Sequence, residues 1–320
     1  MFKHARSLLM GLTAAAALSF SPLAAQAFPD KPIQYIIPFG PGGESDIAAR
    51  FQEPLFRKLT GQDLVIQYRP GAGGATAWSQ LNSMPADGHT IVGSNFPHIF
   101  IQPMEKDVGY KTEDVDNVYI FHYTPDALIV PADSPYQTLQ DLIDAAKERP
   151  GALTFSGSGT YSANHIAAIK FDQLAGIKTT YVPFGGTGPS NSALLGKQVT
   201  GSWGYTTVAG QLGDQVRMLA VATDERHPQF PDVPTFKELG FDMVGGAYRG
   251  IAVPKSTPVE IKRQLSDLIG QINKDPEMVQ KMVEGGFVMV DIGLDEMPEF
   301  MAQKAAEYTA IATEMGIVKQ

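Results

Sequence analysis

Ile33-Gln34-Tyr35-Ile36-Ile37-Pro38-Phe39-Gly40-Pro41-Gly42-Gly43-Glu44-Ser45-Asp46-Ile47-Ala48-Ala49-Arg50 is the stretch on which the fold turns. It starts as a short β-rich run, breaks at a loop dense in proline and glycine, and restarts as a helix. Pro38 and Pro41 fix φ and remove donors, while Gly42 and Gly43 permit backbone shapes that a Cβ resists. Ser45 or Asp46 is placed to cap a helix running through Ile47, Phe51, Leu55 and Leu59. Strand, glycine turn and helix N-terminus together make a concavity of N–H groups that suits an anion. A single turn of this kind is also an ordinary β–α connection. The device recurs, however: Leu64-Val65-Ile66-Gln67-Tyr68 reads as a strand, Arg69-Pro70-Gly71-Ala72-Gly73-Gly74 as a glycine loop, and Ala75, Trp78 and Leu81 mark the next helix. Two such loops in one βαβ unit put two sets of N–H donors at the same edge of a parallel sheet.

The ends and composition narrow the class. Lys3, His4 and Arg6 precede an apolar run from Leu8 to Phe20, and Ala25-Gln26-Ala27 is a small-x-small site, so residues 1–27 read as a Sec signal peptide cut after Ala27. That run is too short for a good membrane span. The expectation is an exported, soluble protein that starts at Phe28. With no cysteine in the chain, disulfides and thiolate metal sites are excluded, and a chain of 320 residues can bury a large core without them. The formal charge of −9 argues against nucleic acid or an anionic membrane as partner.

Further along, Thr90–Gly93 reads as the third strand, and Val118–Val130 as extended runs interrupted by Pro125, where the chain crosses into a second lobe. Leu139–Arg149 has helical periodicity. Leu153-Thr154-Phe155 leads into Ser156-Gly157-Ser158-Gly159-Thr160 and a helix through Ile166, Ile169 and Leu174. Thr179–Phe184 then leads into Gly185-Gly186-Thr187-Gly188. Gln198–Val208 and Val216–Val221 read as strands, the latter returning the chain to the first lobe. A short helix ending at Gly240, a strand Gly250–Val253 and helices Pro258–Asn273 and Leu294–Met315 follow. Repeated β-then-α units predict an α/β protein of two lobes with mostly parallel sheets. The lobes are expected over 28–123 with 223–320, and over 124–222.

Catalytic and metal chemistry find little support. No GxGxxG or GxxxxGK[ST] motif is present, and the six histidines show no ligand spacing. Ser158 sits in Gly157-Ser158-Gly159, which is not the GxSxG elbow of hydrolases. His165, beside the Ser/Gly loop, is either a structural histidine or a ligand contact. An exported hydrolase or lyase acting on a carboxylate stays open as the alternative to a binding protein. Glycine loops with few charges inside them favour binding, with no catalytic residue, cofactor or metal expected.

Several motifs, in order along nearly the whole chain, carry a resemblance. They are Phe28-Pro29-Asp30-Lys31-Pro32-Ile33, Pro38-Phe39-x-Pro41-Gly42-Gly43-x-x-Asp46, Arg69-Pro70-Gly71-Ala72-Gly73-Gly74, Pro85-Ala86-Asp87-Gly88, Tyr181-Val182-Pro183-Phe184, Leu194-Leu195-Gly196, Pro231-Asp232-Val233-Pro234-Thr235 and Ala252-Val253-Pro254. The chain resembles the substrate-binding proteins of tripartite tricarboxylate transporters, the TctC or Bug family. The resemblance implies a periplasmic two-lobed binding protein that closes on a small mono- or dicarboxylate and delivers it to membrane permease subunits. A monomer is expected, and supply of a sensor kinase is a weaker option. The resemblance also implies that Phe39, Gly42, Gly43, Ser45 and Asp46, with Ala72, Gly73 and Gly74, hold one carboxylate end, partly through water. Ser158, Gly159, Thr160, His165, Phe184 and Thr187 would hold the rest. Three departures stand out: Phe184-Gly185-Gly186 where the family has Tyr-Lys-Gly, Ser192-Ala193 where it has Thr-Asp, and Tyr248-Arg249 where a tryptophan is common. With the family's cleft lysine absent, Arg249 is expected to make a bidentate contact to the ligand.

Overall fold

The computed structural model describes residues 28–318; the expected signal segment lies outside the described residues. The first two βα units form where the glycine loops predict them. β1 (Ile33–Ile37) runs into α1 (Glu44–Thr60), and β2 (Leu64–Tyr68) into the short α2 (Ala75–Trp78). α1 starts at Gly43 without a side-chain cap. Asp46, expected as a cap, instead turns back, and its Oδ2 accepts the Gly42 N–H at 2.8 Å, while Ser45 is buried in the first turn. The Trp78 indole N–H donates to the Gly93 carbonyl at 2.8 Å and so ties the second loop to β3 (Thr90–Phe96).

α3 (His98–Glu105) follows, and then β4 (Asp116–Pro131), one strand of 16 residues that passes straight through Pro125. The second lobe comprises α4 (Leu139–Glu148), β5 (Thr154–Gly157), α5 (Ala163–Ala175), β6 (Thr180–Pro183), α6 (Thr187–Leu195), β7 (Gly201–Tyr205), α7 (Thr206–Leu212) and β8 (Val216–Val221). The chain then returns through β9 (Gly246–Val253), α8 (Val259–Asn273), α9 (Pro276–Glu284), β10 (Val288–Ile292) and α10 (Met297–Glu314). Among the described residues the strands run in the order β2-β1-β3-β9-β4-β7-β5-β6, with β8 and β10 also pairing β4.

β4 serves both lobes. Its Asp116–Pro125 part pairs with β9, and its Asp126–Pro131 part pairs with β7 and β8. The βα units are parallel, as expected, but every pairing of β4 and the β3–β9 pairing are antiparallel, so the sheet is mixed. Each lobe has its own core. That of the second lobe centres on Phe171, Trp203 and Phe236, with the Trp203 and Phe236 rings stacked at 5.7 Å.

Local pattern fails where tertiary contacts decide. The strand expected over Gln198–Val208 stops at Tyr205, and Thr206 starts α7 with its hydroxyl donating to the Gly286 carbonyl at 2.7 Å. β-branched Thr206, Thr207 and Val208 read as strand, and a distant loop makes them helix. The helix expected before Gly240 is a series of turns, because the N–H groups of Val221 and Phe236 are exchanged with the Pro234 and Val221 carbonyls. α3, with Pro103 inside it, α9 and β10 escape the pattern altogether.

Gly250 lies flat between β3 and β4, where a Cβ would collide with the Tyr119 carbonyl oxygen. Overpacking typically costs about 1–3 kcal/mol, and each kcal/mol lowers the melting temperature by about 2–4 °C in a chain of this size. Gly250→Ala should therefore melt several degrees below wild type in calorimetry. Unchanged melting would show that the three-strand contact can yield.

Candidate functional site

The glycine loops of the two lobes meet. The Gly40 N–H donates to the Gly185 carbonyl at 3.3 Å, and a Cβ added at Gly159 would lie 3.4 Å from Gly73 Cα. Two cavities lie along this junction. The inner one, about 10 Å³, is lined by Phe39, Gly43, Glu44, Ser45, Asp46, Asn95, His98, Ser158, Thr187 and Arg249. The outer one, about 300 Å³, lies between Gly71–Gly74, Gln102 and Lys106 on one side and Gly159, Thr160, Tyr161, Phe184 and Gly185 on the other. Phe39 lines both.

Glu44 dominates the inner site. As the first residue of α1 it sits where the helix dipole favours a negative charge. It is 2 % exposed, and both oxygens are engaged. Oε2 accepts from the Thr187 hydroxyl at 2.8 Å and from Arg249 Nη2 at 3.1 Å, and Oε1 accepts from the Thr207 hydroxyl at 2.8 Å. Thr187 and Thr207 belong to the second lobe, so this first-lobe carboxylate spans the cleft. Arg249, 3 % exposed, also donates through Nη1 to Thr124 Oγ1 at 2.6 Å, and its guanidinium lies 4.7 Å from the Tyr205 ring centroid.

Neutral polar groups complete the wall. His98 is 1 % exposed and neither ring nitrogen has a partner among the described residues. Burial, reinforced by the Arg249 charge, pushes its pKa down to about 3, so the ring is uncharged at neutral pH. The Ser158 N–H and hydroxyl both donate to Asn164 Oδ1, at 3.1 and 2.7 Å, and Asn164 Nδ2 donates to Asp126 Oδ1 at 3.1 Å. Burial pushes the Asp126 carboxyl up to about 8, partly opposed by the Asn164 hydrogen bond.

The outer site is built on unusual backbone. Gly71, Ala72, Gly73 and Gly74 all have positive φ, and Ala72 (47°) and Tyr161 (55°) do so despite a Cβ. Strain of this kind costs of the order of 1–3 kcal/mol per residue and gathers at binding loops. The Gln102 amide holds the Gly71–Gly74 loop, donating to the Gly73 carbonyl at 3.0 Å.

Most of the residues named from the sequence therefore converge. Phe39, Gly43, Ser45, Asp46, Ser158, Thr187 and Arg249 reach the inner cavity; Ala72, Gly73, Gly74, Gly159, Thr160 and Phe184 reach the outer one. Two do not. Gly42 lines neither cavity and has its N–H on Asp46. His165 lines neither cavity: its Nδ1 accepts the Tyr161 N–H at 3.1 Å and its ring stacks on Tyr181 at 4.4 Å, so it braces the loop. The contact expected of Arg249 is also different, because the carboxylate it holds is the chain's own Glu44. Glu44, Asn95, His98 and Gln102 went unread. Asn95 lies near the end of β3, and His98 and Gln102 lie within α3, whose prolines hide its helical pattern.

Among the described residues no cluster of His, Cys, Asp or Glu could hold a metal, and no helix is long and apolar enough to cross a membrane. Residues 47–317 match the sequence family described as the tripartite tricarboxylate transporter family receptor. The chain belongs to that receptor family. Within reach of it, BugT of Bordetella pertussis is 28% identical over 314 residues, 96% of this chain and 96% of BugT. The solved structure of a periplasmic transporter superposes with a TM-score of 0.86 at 26% identity, covering 91% of this chain and 99% of that one. An R. palustris protein solved with adipate gives 0.85 at 26% identity, covering 90% and 98%. The two-lobed α/β fold is thus the receptor fold.

Two outcomes follow for this receptor. Removing one partner of a buried ion pair typically costs about 3–5 kcal/mol, which is on the order of 10 °C in melting temperature here. Arg249→Ala should show that loss, and Glu44→Gln/Arg249→Met should recover most of it; a single variant within 3 °C of wild type, allowing roughly 1 kcal/mol, would contradict the pairing. Asp126 carries a folded-state pKa raised from 3.8 to about 8. The folded chain therefore holds a proton that the unfolded chain loses between these values, and stability falls as pH rises through that window. Asp126→Asn lacks this dependence, so its melting temperature relative to wild type should rise steadily from pH 5 to pH 8. A flat difference would show that Asp126 ionises normally.

Proposed function

We propose that this chain is a periplasmic solute receptor that captures a small organic carboxylate and hands it to the membrane permease of a tripartite tricarboxylate transporter, without chemistry of its own. The observation that carries the reading is the outer cavity, walled by glycine loops from both lobes at the ends of parallel strands, an arrangement that favours an anion. The receptor family and the adipate-bound relative support the same ligand class. In this reading the chain is exported by its N-terminal signal and works as a monomer. Its lobes, expected over 28–123 with 223–320 and over 124–222, close by a hinge near Pro125. Because Phe236 packs in the second lobe's core, the return crossing falls at the start of β9 rather than at Val221.

A ligand bound only by the native state adds RT ln(1 + [L]/Kd), about 2.7 kcal/mol at a hundredfold excess over Kd. Native mass spectrometry of the purified protein, followed by a melting panel of organic acids and their amides, tests the proposal. At least one acid should raise the melting temperature by several degrees, and its amide should not. Gly188 faces Pro41 across the cleft, and a Cβ there would collide with the Pro41 carbonyl oxygen. Gly188→Ala should therefore abolish the shift, read against that variant's own melting temperature without ligand. Amides that stabilise as well as acids, or an acid consumed during incubation, would overturn the receptor reading.

A further inference from the structure

We propose that Glu44 is the selectivity residue of this receptor: its carboxylate fills the inner anion subsite, so the cleft accepts a monocarboxylate with an uncharged inner end and rejects di- and tricarboxylates. The inference rests on the carboxylate-receptor reading above and names the ligand class within it.

The groups around Glu44 form a complete carboxylate site. Two hydroxyls from the far lobe, Thr187 and Thr207, one guanidinium N–H from Arg249 and the N-terminus of a 17-residue helix converge on one position between the lobes. A ligand carboxylate would be held by the same donors, and charge-assisted bonds of this kind are among the stronger ones available. The chain supplies that carboxylate from its own α1. What is left beside it is about 10 Å³, room for roughly one water.

A second ligand carboxylate has nowhere to go. Arg249 is committed through Nη1 to Thr124 and the Ala247 carbonyl and through Nη2 to Glu44. Asp46 adds another acid at the rim, already engaged by Arg50 and the Tyr68 hydroxyl. His98 offers free hydrogen-bonding capacity on the inner wall: among the described residues both nitrogens lack partners, and the ring is neutral. Like charges close together in a dry site repel strongly. A neutral imidazole instead accepts or donates one hydrogen bond to a hydroxyl, an amide or a ring nitrogen. The single carboxylate of the ligand is then left to the outer loops at Ala72–Gly74 and Gly159–Thr160, whose cavity of about 300 Å³ fits a small acid.

Matched pairs of acids that differ by one terminal carboxylate test this: pentanoate with glutarate, hexanoate with adipate, and benzoate with terephthalate. Binding of each to wild type, Glu44→Ser and Glu44→Gln is measured by calorimetry. Wild type should bind the monocarboxylate of its preferred pair at least tenfold more tightly than the dicarboxylate. Glu44→Ser vacates the subsite and frees Arg249, Thr187 and Thr207, so the ratio should move at least tenfold toward the dicarboxylate. If Glu44→Ser does not fold, Glu44→Gln keeps the size and loses the charge, and its discrimination should narrow at least threefold. Wild type preferring the dicarboxylate, or an unchanged ratio in the folded variants, would overturn the assignment of Glu44 and leave the receptor reading intact. Failure of every acid to bind any of the three proteins would overturn the receptor reading itself, and this assignment with it.

Discussion

A carboxylate cannot be buried without donors, and Glu44 obliges four separate parts of the chain to meet in order to supply them. α1 brings the acid, β9 brings Arg249, and the first turns of α6 and α7 bring two threonine hydroxyls. Each of these elements must hold its place to within a hydrogen-bond length. The small residues along the junction follow from that constraint. Gly40 and Gly185 can exchange a backbone hydrogen bond, and Gly188 can lie against Pro41, because no side chain keeps the loops apart. A pair of charges that would be worth little at the surface is here the point about which two lobes are registered.

How much of this was legible in the sequence depended on how local the cause was. Proline and glycine punctuation marks β–α turns through φ alone, so the loops at Pro38–Gly43, Arg69–Gly74 and Ser156–Thr160 could be placed before any contact was known. Nothing local announces that Glu44 and Arg249, 205 positions apart, are partners. Arg249 could be singled out as a cation near the cleft, but its partner is set by β9 inserting beside β4, a matter of topology. The cap reading of Ser45 and Asp46 assumed a plain helix start; the proline loop bends back far enough that Asp46 closes the turn instead. The expectation of mostly parallel strands came from the βα units and held for them. It did not extend to β4 and β9, whose long connections carry no directional signal.

Around the charged pair the interior is polar yet almost uncharged. His98 stays neutral, and Asp126 retains its proton well into the neutral range, because burial penalises the ionised form of each. Asn164 ties Asp126 to the Ser158 loop with both ends of its amide satisfied. Such a network specifies one arrangement of the loop, since any other leaves a buried donor or acceptor unmade. Substitutions here are thus expected to alter geometry before they alter charge.

The position of β9 in the strand order has a consequence for how the molecule comes into being. The first lobe's sheet runs β2-β1-β3-β9-β4, so the strand that separates β3 from β4 is the ninth to appear along the chain. Until β9 arrives, β3 and the first part of β4 have unpaired edges facing one another across a gap one strand wide. The second lobe's strands are all present once β8 and the segment that pairs Thr235 with Val221 have formed, although α7 still waits for the Gly286 loop. Pairings between such distant segments are slow to form, because their loop entropy is lost before any contact compensates it. The lobe that holds the start of the chain therefore cannot close its sheet until the same strand that delivers Arg249 to Glu44 has been inserted.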